Sequence, residues 1–196
     1  MNENSKLMSL PPFFRSRDAT SLGISRTRLK SMVQRGEIER VGWGTYQRSS
    51  APKTQHQTIA LAVTRVPRGI VCLLTALQVY GIGTQAPREV WIALDRKDRK
   101  PRSSDIPMKI VRFSGKMLTY AVTRREIGGI EARITTPART IVDCFRYRRK
   151  IGLDVAMEAL REALRTRQAS IDEILRIAEM CRIMTVVRPY LESVAV

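Results

Sequence analysis

The chain's 196 residues carry 35 Lys and Arg against 18 Asp and Glu, a net charge of +17. With 43% hydrophobic and 27% charged residues it has the composition of a packed globular fold, and no run of about 18 apolar residues offers a membrane span. One His and three widely spaced Cys argue against a metal site, a histidine-based triad and a disulfide framework.

So basic a chain stores self-repulsion, which a polyanion relieves by shedding its condensed counterions; nucleic acid is the usual such partner. Cys72, Cys144 and Cys181 each lie in an apolar stretch and are expected as core thiols of a reducing cytoplasm. Residues Met1 to Lys6 lack the layout of a signal peptide, so export is not expected.

In chain order, Ser9 to Pro12 is an extended lead-in and Phe13 to Leu22 a short helix stopped by Gly23. Ser25 is a helix N-cap, and Thr27 to Arg35 forms a second helix ended by Gly36. Leu29, Met32 and Val33 define its buried stripe; Arg26, Arg28, Lys30, Ser31, Gln34 and Arg35 remain outside, with no acid among them. Glu37 to Val41 alternates as a strand, Gly42-Trp43-Gly44 turns, and Thr45 to Arg48 returns.

Two helices across a Gly-containing turn, the second basic on its outer face and followed by a hairpin, spell a winged helix-turn-helix over residues 1–50. In that docking mode the N-terminal end of the second helix meets base edges. Ser25, Arg26, Thr27 and Arg28 are therefore base-reading candidates, and either arginine suits guanine O6 and N7. Lys30, Gln34 and Arg35 are expected on phosphate, with Arg15 and Arg17 of the preceding helix. Arg40, Trp43 and Arg48 lay the hairpin along phosphates or into a minor groove. Glycine-flanked Trp43 is equally compatible with a packing plug.

Residues 49–56 are polar and turn-rich and mark a linker to a second domain, 57–196. There Thr58 to Val66 and Ile70 to Tyr80 are helix-like, Val90 to Leu94 is a buried strand, and Met108 to Phe113 alternates as another. Thr123 to Ile127 and Ile130 to Ile134 flank Gly128-Gly129 as a hairpin. Pro137 to Arg149, Leu153 to Arg167, Ile171 to Arg182 and Val186 to Val194 are helical. The expectation is an α+β chain: a winged helix-turn-helix, then a larger α+β domain with a small, mostly antiparallel sheet and C-terminal helices.

Arg96, Lys97, Arg99, Lys100 and Arg102 follow the buried strand and would lengthen a DNA footprint if their loop lies on the wing side. Arg124, Arg125, Arg146, Arg148 and Arg149 carry the same signal more faintly. Thr136 and Pro137 open a helix on which Arg139 and Asp143, four apart, form a partly buried ion pair. Asp95-Arg96-Lys97 has an acid-x-Lys form with Glu89 upstream, so a metal-dependent nuclease with Asp95 and Lys97 in its site is the enzyme alternative. The surrounding cations and the lack of any Glu-x-Lys weigh against it. An RNA-binding module is disfavoured by the lack of an aromatic array.

Two stretches carry a family likeness. The first is Leu22-Gly23-Ile24-Ser25 with Leu29, Arg35-Gly36-Glu37-Ile38, Val41, Gly44 and Tyr46. The second is Ile134-Thr135-Thr136-Pro137-Ala138-Arg139-Thr140-Ile141-Val142-Asp143-Cys144 with Ala156, Ala159-Leu160 and Ala163-Leu164. Between them lie Leu74-Thr75-Ala76-Leu77, Gln85-Ala86-Pro87 and a strand. In order and spacing the series resembles the AbiEi antitoxins, transcriptional regulators of viral-defence systems, over about residues 13–170.

The resemblance implies a bacterial, cytoplasmic repressor whose N-terminal winged helix-turn-helix binds operator repeats in double-stranded DNA. It implies a C-terminal domain that neutralises a nucleotidyltransferase-like toxin of a type IV, abortive-infection system without a stable complex. Neither enzyme activity nor a cofactor is expected. In one respect the chain departs: the family opens on a longer first helix, whereas the segment ahead of Phe13 is short and Pro-rich. That helix is either frayed or supplied by Asn4 to Leu10.

Overall fold

The computed structural model describes residues 3–51, 55–101 and 106–194. Two units compose the chain: Met1–Pro67 with Pro101–Ile106 and Glu126–Ala132, and Arg68–Lys100 with Pro107–Arg125 and Arg133–Val196.

The first unit runs α1 (Glu3–Met8), β1 (Phe13–Arg15), α2 (Ser16–Ser21), α3 (Arg26–Gln34), β2 (Ile38–Gly42), β3 (Thr45–Arg48) and α4 (Gln57–Arg65). Helices α2 and α3 stop by one device. Gly23 (φ 78°) donates its N–H to Thr20 O and Ile24 to Ala19 O; Gly36 (φ 72°) donates to Val33 O and Glu37 to Met32 O. This pair of reversed bonds requires a left-handed residue just past the helix, a conformation glycine enters without a Cβ clash. At its start α3 is capped as expected: Ser25 Oγ accepts the Arg28 N–H at 3.2 Å. Leu29 and Met32 join Leu7, Leu10, Phe14, Ala19, Ile24 and Ile38 in one core, with Val33 partly buried against it. Phe14 stacks on Tyr46 with ring centroids 5.8 Å apart. The small sheet has the order β1-β3-β2, antiparallel throughout.

Phe13 to Leu22 is not the single helix expected. Phe13 and Phe14 are both buried, and consecutive side chains point to opposite faces in extended backbone but crowd one side of a helix. The stretch therefore starts as β1, which pairs with β3, and turns helical only at Ser16. A helix does form there, α1, but from Glu3 to Met8, so it starts one residue ahead of the region Asn4 to Leu10 and stops two short of its end. Helix α4, placed beyond the linker by sequence, packs against β1 within the first unit. Its Gln57 Nε2 donates to the buried Gln47 Oε1 at 2.9 Å.

The second unit contains β4 (Ile70–Val71), α5 (Leu73–Tyr80), β5 (Val90–Asp95), β6 (Met108–Phe113), a 3₁₀ turn (Gly115–Leu118), the greater part of β7 (Val122–Ile127) and half of β8 (Ile130–Thr135), whose hairpin end, Glu126–Ala132, is grouped with the first unit. It closes with α6 (Pro137–Arg146), α7 (Arg148–Ile151), α8 (Leu153–Arg165), α9 (Ile171–Met180) and α10 (Met184–Val194). The α+β class stands, but the sheet is mixed rather than mostly antiparallel. Its order is β6-β5-β4-β8-β7, with β4–β5 antiparallel and both β5–β6 and β4–β8 parallel. The difference traces to β4, two residues long and hidden at the head of the apolar run Ile70 to Tyr80, which takes the central place. The chain between β5 and β6 is long enough to cross over and return in the same direction.

Helix α6 is the hub. Every residue from Ala138 to Phe145 is buried, and α5, α8, α9 and α10 pack around it. Thr136 Oγ1 accepts the Arg139 N–H at 3.3 Å and Pro137 opens the helix, as the sequence indicates. Arg139 and Asp143 are wholly rather than partly buried. Arg139 Nε donates to Asp143 Oδ2 at 3.0 Å, Nη1 to Tyr120 O at 2.7 Å and Nη2 to Met117 O at 3.4 Å. Asp143 Oδ1 has no hydrogen-bond partner among the described residues, and burial pushes this carboxyl up to about 6 against the pull of the arginine. Cys72, Cys144 and Cys181 are free, buried thiols, each raised by burial. Among the described residues no helix is long and apolar enough to cross a membrane.

Candidate nucleic-acid interface

Helix α3 and the β2–β3 hairpin enclose a cleft of about 450 Å³. Its helical side presents Arg26, Lys30, Val33 and Gln34; the hairpin side presents Arg40, Trp43, Gly44 and Tyr46, with Ser16 between. Arg26, Lys30 and Gln34 recur every four residues, so they form one row on α3 while Leu29 and Met32 turn into the core. Across from them, Trp43 stands 81% exposed at the hairpin tip, which rules out the packing-plug role left open by sequence. The Arg40 guanidinium lies 5.6 Å from its ring centroid, so cation and ring form one projecting surface. Among the described residues no acid lines the cleft. Its guanidinium, ammonium and amide donors suit phosphates and base edges, and its ring offers a flat face to a sugar or base.

The hairpin tip is tied down from outside the hairpin. Ser16 N donates to Gly44 O at 3.0 Å, and Arg65 Nη1, from the last residue of α4, donates to Trp43 O at 2.5 Å. Arg15 Nη2 in turn donates to Arg65 O. Burial lowers the Arg15 guanidinium from its ordinary value, the neighbouring Arg17 adding to the effect.

The remaining predicted contacts divide by place. Thr27 and Arg28 are exposed on the first turn of α3, beside the Ser25 cap but outside the cleft lining. Arg35 Nε holds Glu37 Oε1 at 2.6 Å and Nη1 holds Ser31 Oγ at 2.8 Å; the arginine's hydrogen bond keeps the Glu37 carboxyl below its usual range. Arg48 lies opposite Ile38 at the foot of the hairpin, with Nη1 3.0 Å from Met8 Sδ. Arg15 belongs to β1 rather than to a helix, and with Arg17 it borders a different depression that also contains Asp18. Arg17 Nε lies 3.5 Å from Asp18 Oδ1.

Arg96, Lys97, Arg99 and Lys100 are exposed in the loop after β5, in the second unit; Arg102 lies outside the described residues. That loop is pinned by Arg112, whose Nη1 donates to Asp95 O and Asp98 O, each at 2.7 Å. Asp95 Oδ1 accepts the Lys97 backbone N–H at 3.0 Å, a turn-forming role for the acid of the nuclease alternative. Glu89 Oε2 faces Lys109 Nζ at 3.9 Å instead. Among the described residues no three His, Cys, Asp or Glu are grouped as metal ligands.

Sequence reasoning missed Ser16, Val33, Gly44 and Tyr46 as cleft lining and Arg65 as a support. The first four sit among stronger polar signals. Arg65 ends an apolar helix, and nothing local ties it to a turn 22 residues away.

Residues 6–49 match the model of a family described as "Transcriptional regulator, AbiEi antitoxin". Every described residue lining the cleft falls inside that stretch. No curated protein matches the chain.

Proposed function

We propose that this chain is a sequence-specific DNA-binding repressor, with α2, α3 and the β2–β3 wing acting as a winged helix-turn-helix on operator repeats of its own promoter. It serves as the antitoxin of a type IV toxin–antitoxin system in the bacterial cytoplasm, countering a nucleotidyltransferase-like toxin without holding it in a stable complex, and it is not an enzyme. The observation that carries the DNA-binding reading is the cleft between α3 and the hairpin, lined by Arg26, Lys30 and Arg40 and by no acid among the described residues, inside the segment similar to AbiEi regulators. Ser25, Arg26, Thr27 and Arg28 meet base edges from the N-terminal end of α3; Lys30, Gln34, Arg40, Trp43 and Arg48 meet the backbone or a minor groove. Arg15, Arg17 and Arg35, each already engaged within the unit, add phosphate contacts at its rim. Arg96, Lys97, Arg99 and Lys100 of the second unit, together with Arg102, would lengthen the footprint if their loop lies on the wing side. The antitoxin half of the proposal rests on the family likeness alone.

A labelled duplex spanning the promoter of its own gene tests the reading. Arg28→Ala should cost about 1–3 kcal/mol on that duplex and little on random sequence. Equal losses on both would remove Arg28 from base reading. A wild-type chain with no preference for its promoter would sink the repressor proposal.

A further inference from the structure

We infer that Arg65, beyond the residues 6–49 that match the AbiEi family model, is a positioning residue that sets the tip of the wing for DNA; the inference rests on the DNA-binding reading above. The hairpin does not order its own tip. The pairing of β2 with β3 shifts register between Arg40 and Gly42, and Gly42 opposite Thr45 is the last pair, so the carbonyls of Trp43 and Gly44 lie beyond the ladder. Both are taken by donors from elsewhere in the unit: Gly44 O by Ser16 N and Trp43 O by Arg65 Nη1. Arg65 is itself held, because its carbonyl accepts from Arg15 Nη2. Arg15 also caps α2: its backbone N–H reaches Asp18 Oδ2 at 2.8 Å. The chain of contacts thus links the start of α2, the end of α4 and the turn that displays Trp43.

The chemistry of this tie is positional. Trp43 is exposed, so water can replace the guanidinium at its carbonyl with little loss to the fold. What water cannot do is hold the turn in one place. With Arg65 present, the wall of the cleft formed by Arg40 and Trp43 is ordered before DNA arrives, and the cost of ordering it is not charged to binding. Arg65 needs no contact with DNA to act in this way.

The test uses the full chain, its own promoter duplex and 5-fluorotryptophan. Trp43 and Trp91 give two fluorine resonances, assigned with Trp43→Phe; Trp91 is buried on β5, so its line reports whether the second unit is intact. In Arg65→Ala the Trp43 line should shift and narrow, the Trp91 line should stay, and promoter affinity should fall about three- to tenfold. The slope of log K against log salt should not change. If Arg65 touched a phosphate directly, that slope would drop by about 0.9 and the positioning role would be refuted.

Wild-type affinity with an unmoved Trp43 line in Arg65→Ala would also overturn the inference while leaving the repressor proposal standing. No promoter binding by the wild-type chain would overturn both. If Arg65→Ala does not fold, Arg65→Lys takes its place, with a single nitrogen on a looser stem instead of the rigid guanidinium fork. A narrowed Trp43 line and about twofold weaker binding support the inference, and wild-type behaviour in both overturns it.

Discussion

Arg139 carries a full charge to a place that water does not reach. Its guanidinium is satisfied by Asp143, Tyr120 O and Met117 O and lies 5.1 Å from the Phe113 ring centroid, so the residue ties α6 to the segment before β7. Breaking such a pair leaves the other charge buried and alone, and Arg139→Ala should lower stability by about 3–5 kcal/mol in urea denaturation. Asp143 pays a visible cost for its position: one oxygen is orphaned, and burial raises its carboxyl from 3.8 to about 6. A raised folded value means that the native state holds the proton more tightly. The contribution of Asp143 to stability is therefore full below about 3.8 and is lost as the pH rises through about 6. Relative to Asp143→Asn, which has no proton to release, the wild-type chain should lose stability between those values. A difference in urea midpoints that stays flat from pH 4 to 7 would contradict this account.

At the scale of elements, α3 shows what local signals decide. Ser25, Gly36 and the spacing of Leu29 and Met32 mark its start, its end and its buried side, and the structure keeps all of them. Ser25→Ala should cost about 1 kcal/mol in thermal or chemical unfolding, because the Arg28 N–H loses its acceptor. A variant as stable as the wild type would show that the cap is redundant. The hairpin was legible for the same reason: Gly42-Trp43-Gly44 between alternating residues is a short-range signal. Strands β1 and β4 were not. Each is too short to show a period, and each forms because a distant strand, β3 or β5, is there to receive it. The cleft was accordingly half legible. Arg26, Lys30, Gln34, Arg40 and Trp43 stand out by charge, spacing or turn context, whereas Arg65 gains its place only through contacts made across the unit.

At the scale of the molecule, the N-terminal unit extends past the turn-rich stretch that the sequence offers as a boundary. Because α4 packs on β1 and Arg65 reaches the wing, a fragment of residues 1–67 should melt cooperatively at a higher temperature than one of residues 1–50. Equal melting temperatures by circular dichroism would return the boundary to the linker. The positive charge is not confined to the candidate interface either. The second unit has 23 Lys and Arg against 11 Asp and Glu, leaving it +12 of the chain's +17, so promoter affinity should depend more steeply on salt for the full chain than for the 1–67 fragment. Mixed strand pairing around a two-residue centre escapes sequence because its partners are far apart in the chain and nothing local announces direction. The three thiols of this unit share one circumstance: all are free, all are buried, and burial disfavours the thiolate that alone attacks an electrophile. A thiol reagent in solution must therefore wait for the core to open, and its rate of uptake becomes a clock for that opening, read without a label and independently of whatever the wing is holding.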